Sequence, residues 1–80
     1  MDDNTVLNRI NKLADEELEL EESHDGRPAT TEELQRLKDI EVELDQCWDL
    51  LRQRRARRDA GLNPNDATLR REEIVEKYLQ

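Results

Sequence analysis

Two stretches of helical periodicity, separated by one turn signal, most constrain the fold of this chain. Apolar residues recur every three or four positions over residues 6–20 and again over residues 34–51, which is the spacing of amphipathic helices. Between them, residues 23–28 (Ser-His-Asp-Gly-Arg-Pro) break the pattern and are typical of a loop. A short loop makes consecutive helices antiparallel neighbours, so the sequence predicts a helical hairpin in which facing residue numbers sum to about 54.

Local start signals place the beginnings of the two helices. The first helix is predicted over residues 4–23, with an aspartate or asparagine among residues 2–4 as its N-cap. Thr30 and Glu33 have the spacing of a capping box, in which each side chain bonds the backbone of the other. The second helix is therefore predicted over residues 31–60.

A glycine marks the end of the hairpin. Gly61 supplies the left-handed residue that stops the second helix, so residues 1–61 form the predicted hairpin. Residues 62–80 are a C-terminal tail, in which the spacing of Ile74 to Tyr78 fits a short helix. Two turns of helix are marginally stable alone, so the tail is expected to be either a clip on the hairpin or a peptide that binds a partner.

The second helix carries an apolar stripe that is wider than one neighbouring helix can cover. The predicted packing and oligomer-forming residues are Leu37, Ile40, Leu44, Cys47, Trp48 and Leu51. A two-helix hairpin leaves part of this stripe in water. We therefore expect an all-α homodimer that forms a four-helix bundle, unless the tail covers Trp48 and keeps the chain monomeric.

The composition excludes several classes of function. No stretch approaches the roughly 18 apolar residues of a membrane span, and the lone Cys47 and acidic N-terminus favour the cytoplasm over secretion. The chain has no glycine-rich phosphate loop, no nucleophile with a plausible histidine base and no ligand set at metal-binding spacing. We therefore expect no enzymatic activity, no cofactor and no metal site.

Positive charge is concentrated at one end of the hairpin. Residues 1–51 carry 16 acidic and five basic side chains. Residues 52–58 carry the five predicted partner-binding residues, which are Arg52, Arg54, Arg55, Arg57 and Arg58. At the opposite end, carboxylates surround His24, where a solvated surface is a better explanation than a Mg²⁺ site.

Three interpretations of the arginine cluster remain open. The arginines pair with carboxylates of the same chain or of a dimer mate, or bind an acidic protein partner, or bind nucleic acid, because guanidinium groups bind carboxylates and phosphates alike. The net charge of -8 disfavours a polyanion. The sequence thus predicts a small cytoplasmic interaction or adaptor protein with an acidic partner. A nucleic-acid or RNA-polymerase-associated accessory factor is the alternative.

The segment around these arginines resembles a known family signature. Residues 44–58, LDQCWDLLRQRRARR, followed by Gly61 and Asn63-Pro64, are similar to the signature of an actinobacterial family, domain of unknown function 2630. The resemblance covers the whole chain and implies a bacterial cytosolic helical protein with no particular chemistry. It also directs attention to residues 48–58 as a shared binding surface or a shared dimer core.

Overall fold

The computed structural model of the protein describes residues 2–23 and 26–79, with side chains up to residue 76. His24 and the side chain of Tyr78 lie outside this part. The described chain contains no strand and forms an all-α hairpin with a short third helix, as predicted. Its elements are α1 (Asp3–Glu22), α2 (Thr31–Asp59), a 3₁₀ turn (Pro64–Asp66) and α3 (Glu72–Leu79).

Side-chain caps fix where the two long helices begin. The Asp2 carboxylate accepts a hydrogen bond from the Thr5 amide at 2.8 Å, which satisfies one of the free donors at the start of α1. At the start of α2, the Thr30 hydroxyl accepts from the Glu33 amide at 3.1 Å and the Glu33 carboxylate accepts from the Thr30 amide at 3.2 Å. The predicted capping box is therefore present.

The end of α2 is a Schellman motif. Gly61 has φ +75°, a conformation that side chains with a Cβ atom rarely adopt. The Leu62 amide donates to the Arg57 carbonyl at 2.8 Å and the Gly61 amide donates to the Arg58 carbonyl at 3.1 Å. This stop turns the chain back toward the middle of α2.

The hairpin closes over a narrow apolar core. The buried members of this core are Val6, Ile10 and Leu13 of α1 and Ile40, Cys47 and Leu50 of α2. The Arg36 guanidinium pairs with Glu16 at 2.7 Å, and Arg9 pairs with Glu43 at 2.7 Å. Successive pairs run in opposite directions along the two helices, so α1 and α2 are antiparallel and close to the predicted register.

The tail is a clip on the hairpin. After the 3₁₀ turn, residues 67–71 run without helix beside α2, and α3 then packs on α2 with Val75 buried. Ala67 packs against the core, and Leu50, which lies off the predicted stripe, is buried. Helix α2 is thus covered by α1 on one side and by the tail on another, in a molecule of 52 × 25 × 15 Å.

We expect Thr30→Ala to lower the free energy of unfolding by about 1 kcal/mol, because the Glu33 amide loses its side-chain acceptor. Urea unfolding followed by circular dichroism measures the loss. Thr31→Ala removes a neighbouring hydroxyl that makes no capping bond and is the matched control. Equal losses in the two variants would contradict the capping assignment.

Candidate functional site

The five arginines at the end of α2 fall into two groups, of which the first pairs with a carboxylate of the same chain. Arg54 is only 4% exposed, and its guanidinium donates to the Asp3 carboxylate, to the Pro64 carbonyl at 3.2 Å and to Asn65 Oδ1 at 3.0 Å. Arg58 donates to the second oxygen of Asp3 at 2.9 Å. These contacts join α1, α2 and the 3₁₀ turn.

Asp3 is the shared acceptor of this group. The hydrogen bond from Arg54, followed by that from Arg58, holds the pKa of the Asp3 carboxyl below its ordinary value. A carboxylate with two guanidinium donors stays ionised. Arg54 therefore has a partner for a charge that would otherwise be costly to bury.

The second group faces solvent. Arg52 and Arg55 are exposed and Arg57 is half-buried, and none of the three forms an ion pair with a described residue. Arg52 lies one helical turn from Trp48, which is 50% exposed. Of the predicted partner-binding residues, these three remain available to a partner. Arg54 and Arg58 instead follow the interpretation in which the arginines pair with carboxylates of the same chain.

The predicted packing residues are also divided by the structure. Ile40 and Cys47 are buried against α1, whereas Leu37, Leu44 and Leu51 are half-buried. Trp48 is 50% exposed and lies on a side of α2 that the described part of the tail does not cover. The structure therefore leaves part of the predicted stripe in water.

A second buried ionic contact holds the tail, and no short-range signal in the sequence points to it. Asp49 is 1% exposed and accepts two hydrogen bonds from the Arg70 guanidinium. The Gln53 side chain donates to Asp49 at 3.0 Å and to the Thr68 carbonyl at 2.9 Å, and Gln46 donates to the Arg70 carbonyl at 3.2 Å. Asp49 therefore pairs with Arg70 of the tail, and its hydrogen bonds do not come from the arginines at residues 52–58.

A groove lies between α1, α2 and the tail. Its volume is about 770 Å³, with Arg9 and Lys12 on the α1 wall, Leu69 on the tail and Cys47 on α2. The Arg9 charge is paired with Glu43 inside the groove. Among the residues that the structure describes, no group of three histidine, cysteine, aspartate or glutamate side chains is arranged to hold a metal ion.

Comparison with known proteins identifies the family of this chain. Residues 2–80 match the profile of a family described as "Protein of unknown function (DUF2630)". The chain belongs to this family. The resemblance of its arginine-rich segment to that family is therefore confirmed.

Three proteins similar to this chain come from mycobacteria. An uncharacterized protein of Mycobacterium bovis, Mb0922c, is 47% identical over 77 residues, which cover 95% of this chain and 88% of the relative. Uncharacterized proteins of two Mycobacterium tuberculosis strains, MT0921.1 and Rv0898c, match with the same identity and coverage. No solved structure matches the chain. None of the described helices combines the length and apolar character that crossing a bilayer requires.

We expect Asp49→Asn to lower the free energy of unfolding by about 1–3 kcal/mol at neutral pH, because Arg70 loses its charged acceptor. The Arg70 hydrogen bond lowers the pKa of Asp49. Its contribution is therefore present above the pKa of an unfolded aspartate and is lost as pH falls through the lower folded value. The difference between wild type and variant should shrink over that acidic range in urea unfolding.

The pKa of Glu76 shifts in the opposite direction to that of Asp49, so the pH dependence of wild type alone does not isolate Asp49. Burial, and then the nearby Asp45 carboxyl, raise the pKa of Glu76. Its contribution is present below the unfolded pKa and is lost as pH rises through the folded value. Wild type and Asp49→Asn both retain Glu76, so its contribution cancels in their difference. Asp15→Asn, at an exposed site on α1, is the control. A constant difference between wild type and Asp49→Asn at every pH would contradict the ionic role of Asp49.

We expect Cys47 to react slowly with an aromatic disulfide reagent in the native protein and rapidly in urea. Burial raises the pKa of the Cys47 thiol, which lowers the thiolate fraction at neutral pH and restricts access. A Ser23→Cys variant in a Cys47→Ala background provides an exposed thiol for comparison. Equal native rates for the two thiols would contradict the buried position.

Proposed function

We propose that the protein is a small, non-catalytic interaction protein of the cytosol that binds an acidic surface of a protein partner through the end of α2. The binding residues are Arg52, Arg55 and Arg57. The observation that carries the proposal is the division of the arginine cluster. Arg54 and Arg58 pair with Asp3, and the other three arginines of the same helix end form no ion pair with a described residue.

Rigidity of this helix end supports the proposal. The buried Arg54 contacts and the Schellman motif hold the last two turns of α2 against α1 and the 3₁₀ turn. Guanidinium groups on an ordered helix lose less conformational freedom on binding than groups on a flexible tail. Each presents a planar set of donors that fits a carboxylate through two hydrogen bonds.

Nucleic acid is the second candidate, and one observation favours it. The exposed Trp48 ring lies one turn from Arg52, and an aromatic ring beside arginines is a platform on which a base can stack. The excess of acidic side chains on residues 1–51 opposes this candidate, because the field of the hairpin repels a phosphate backbone. We therefore place an acidic protein segment first and nucleic acid second.

Fluorescence anisotropy with a labelled glutamate-rich peptide and with single-stranded RNA tests the two candidates. We expect the peptide to bind and Arg52→Glu/Arg55→Glu to weaken it about tenfold or more, a change of ~1.4 kcal/mol. Lys12→Glu/Arg71→Glu makes the same change in net charge at other sites and is the matched control.

Two results would overturn the proposal. Equal weakening by the control variant would show that net charge, and not the end of α2, determines binding. RNA binding without peptide binding would favour the second candidate, with log affinity falling against log salt by about 0.7 per neutralised phosphate.

A further inference from the structure

One face of α2 is left open by the rest of the described chain. At about 100° per residue, six positions fall along this face in steps of three and four. These positions, called the seam below, are Leu34, Leu37, Glu41, Leu44, Trp48 and Leu51. Leu34 is 57% exposed and Trp48 50%. Helix α1 covers the neighbouring side of α2 at Ile40 and Cys47, and the tail covers the side that carries Asp49.

Helix α1 extends the same open face. Leu7 and Leu18 are exposed leucines that lie on the side of α1 away from Arg9. Arg9 bridges to Glu43 on the opposite side of the hairpin. The exposed leucines of α1 and the seam of α2 therefore form one surface along the hairpin.

We infer that this surface binds the same surface of a second copy of the chain, with the two α2 helices antiparallel and their seams in contact. The inference rests on the proposed function, because it names the acidic partner of the arginine end as the acidic loop end of another copy. Such a contact is isologous, with the same residues contributed by both chains.

The spacing of the seam is self-complementary in the antiparallel direction. Steps of three, four, three, four and three read the same from either end. Antiparallel alignment therefore places every seam position opposite another one. The facing pairs are Leu34 with Leu51, Leu37 with Trp48, and Glu41 with Leu44. A parallel alignment would instead place Glu41 opposite its own copy, and like charges at facing positions repel.

Charge beyond the seam favours the same direction. Arg55 continues the seam beyond Leu51, toward the loop end of the second chain, where Glu21 and Glu22 are exposed. A parallel alignment would instead place Arg55 opposite its own copy, and the two like charges would repel.

Sedimentation equilibrium from micromolar to millimolar concentration tests the association. We expect wild type to approach twice the 9.5 kDa chain mass. Leu34→Lys and Trp48→Lys should each raise the dissociation constant at least tenfold, with helical content by circular dichroism unchanged, because both side chains are half exposed in the single chain. Leu62→Lys is the matched control, since Leu62 is 55% exposed but lies outside the seam.

Disulfide cross-linking tests the direction of the two helices. In a Cys47→Ala background, the double variant Leu34→Cys/Leu51→Cys should form an interchain disulfide under mild oxidation, because antiparallel alignment places position 34 opposite position 51 of the second chain. Leu34→Cys alone should not cross-link, and non-reducing gel electrophoresis distinguishes the two. Cross-linking of Leu34→Cys alone would overturn the antiparallel arrangement, since a parallel dimer places position 34 beside its own copy.

The remaining outcomes separate this inference from the proposed function. A wild-type chain that stays monomeric at millimolar concentration, or a dimer that survives Leu34→Lys and Trp48→Lys, overturns the seam. A monomeric wild type that still binds the glutamate-rich peptide through Arg52 and Arg55 retains the proposed function with a different partner. Loss of peptide binding in a protein that dimerises as described would overturn only the proposed function.

Discussion

The fold depends on a buried arginine. Arg54 lies at the meeting point of α1, α2 and the 3₁₀ turn, and a guanidinium in that position is tolerated only when its donors are satisfied. Asp3 reaches it only if α1 runs the full length of the hairpin, and the Pro64 carbonyl reaches it only if α2 stops at Gly61. The contact therefore couples the ends of three elements that are far apart in the sequence. It also engages two of the five arginines with Asp3, of which Arg54 is buried and Arg58 stays exposed, and the other three form no ion pair with a described residue.

The tail completes a core that two helices cannot close. A chain of 80 residues buries a smaller fraction of its surface than a larger domain does, and α1 covers one side of α2 only. Residues 67–71 and α3 cover another side, where Leu50 and Val75 are buried and Arg70 binds Asp49. Carboxyls of α2 and α3 meet at Asp45 and Glu76, which opposes docking at neutral pH. The contact of Arg70 with Asp49 thus holds the tail, whereas the approach of Glu76 to Asp45 weakens its docking. The position of the tail leaves the third side of α2 open.

The open side of α2 continues into its arginine end. The exposed leucines, Trp48, Arg52 and Arg55 share one face of a rigid hairpin, with basic side chains at one end and carboxylates at the other. A surface with this order of charge and apolar groups is complementary to its own reverse. The mycobacterial relatives, at 47% identity over nearly the whole chain, are natural proteins in which the same association can be measured.

Short-range signals in the sequence determined the helices, because caps, the glycine stop and apolar periodicity act within a few residues of where they lie. The all-α hairpin, the capping box at Thr30 and the approximate register of α1 on α2 could therefore be predicted. The sequence did not determine which arginines are free, where the tail docks, or why Asp49 and Leu50 are buried. Those features depend on contacts such as Arg54 with Asp3 and Arg70 with Asp49, whose partners are 51 and 21 positions apart. Periodicity reports which face of a helix is apolar, but only the tertiary structure decides which neighbour covers that face and which carboxylate reaches each arginine.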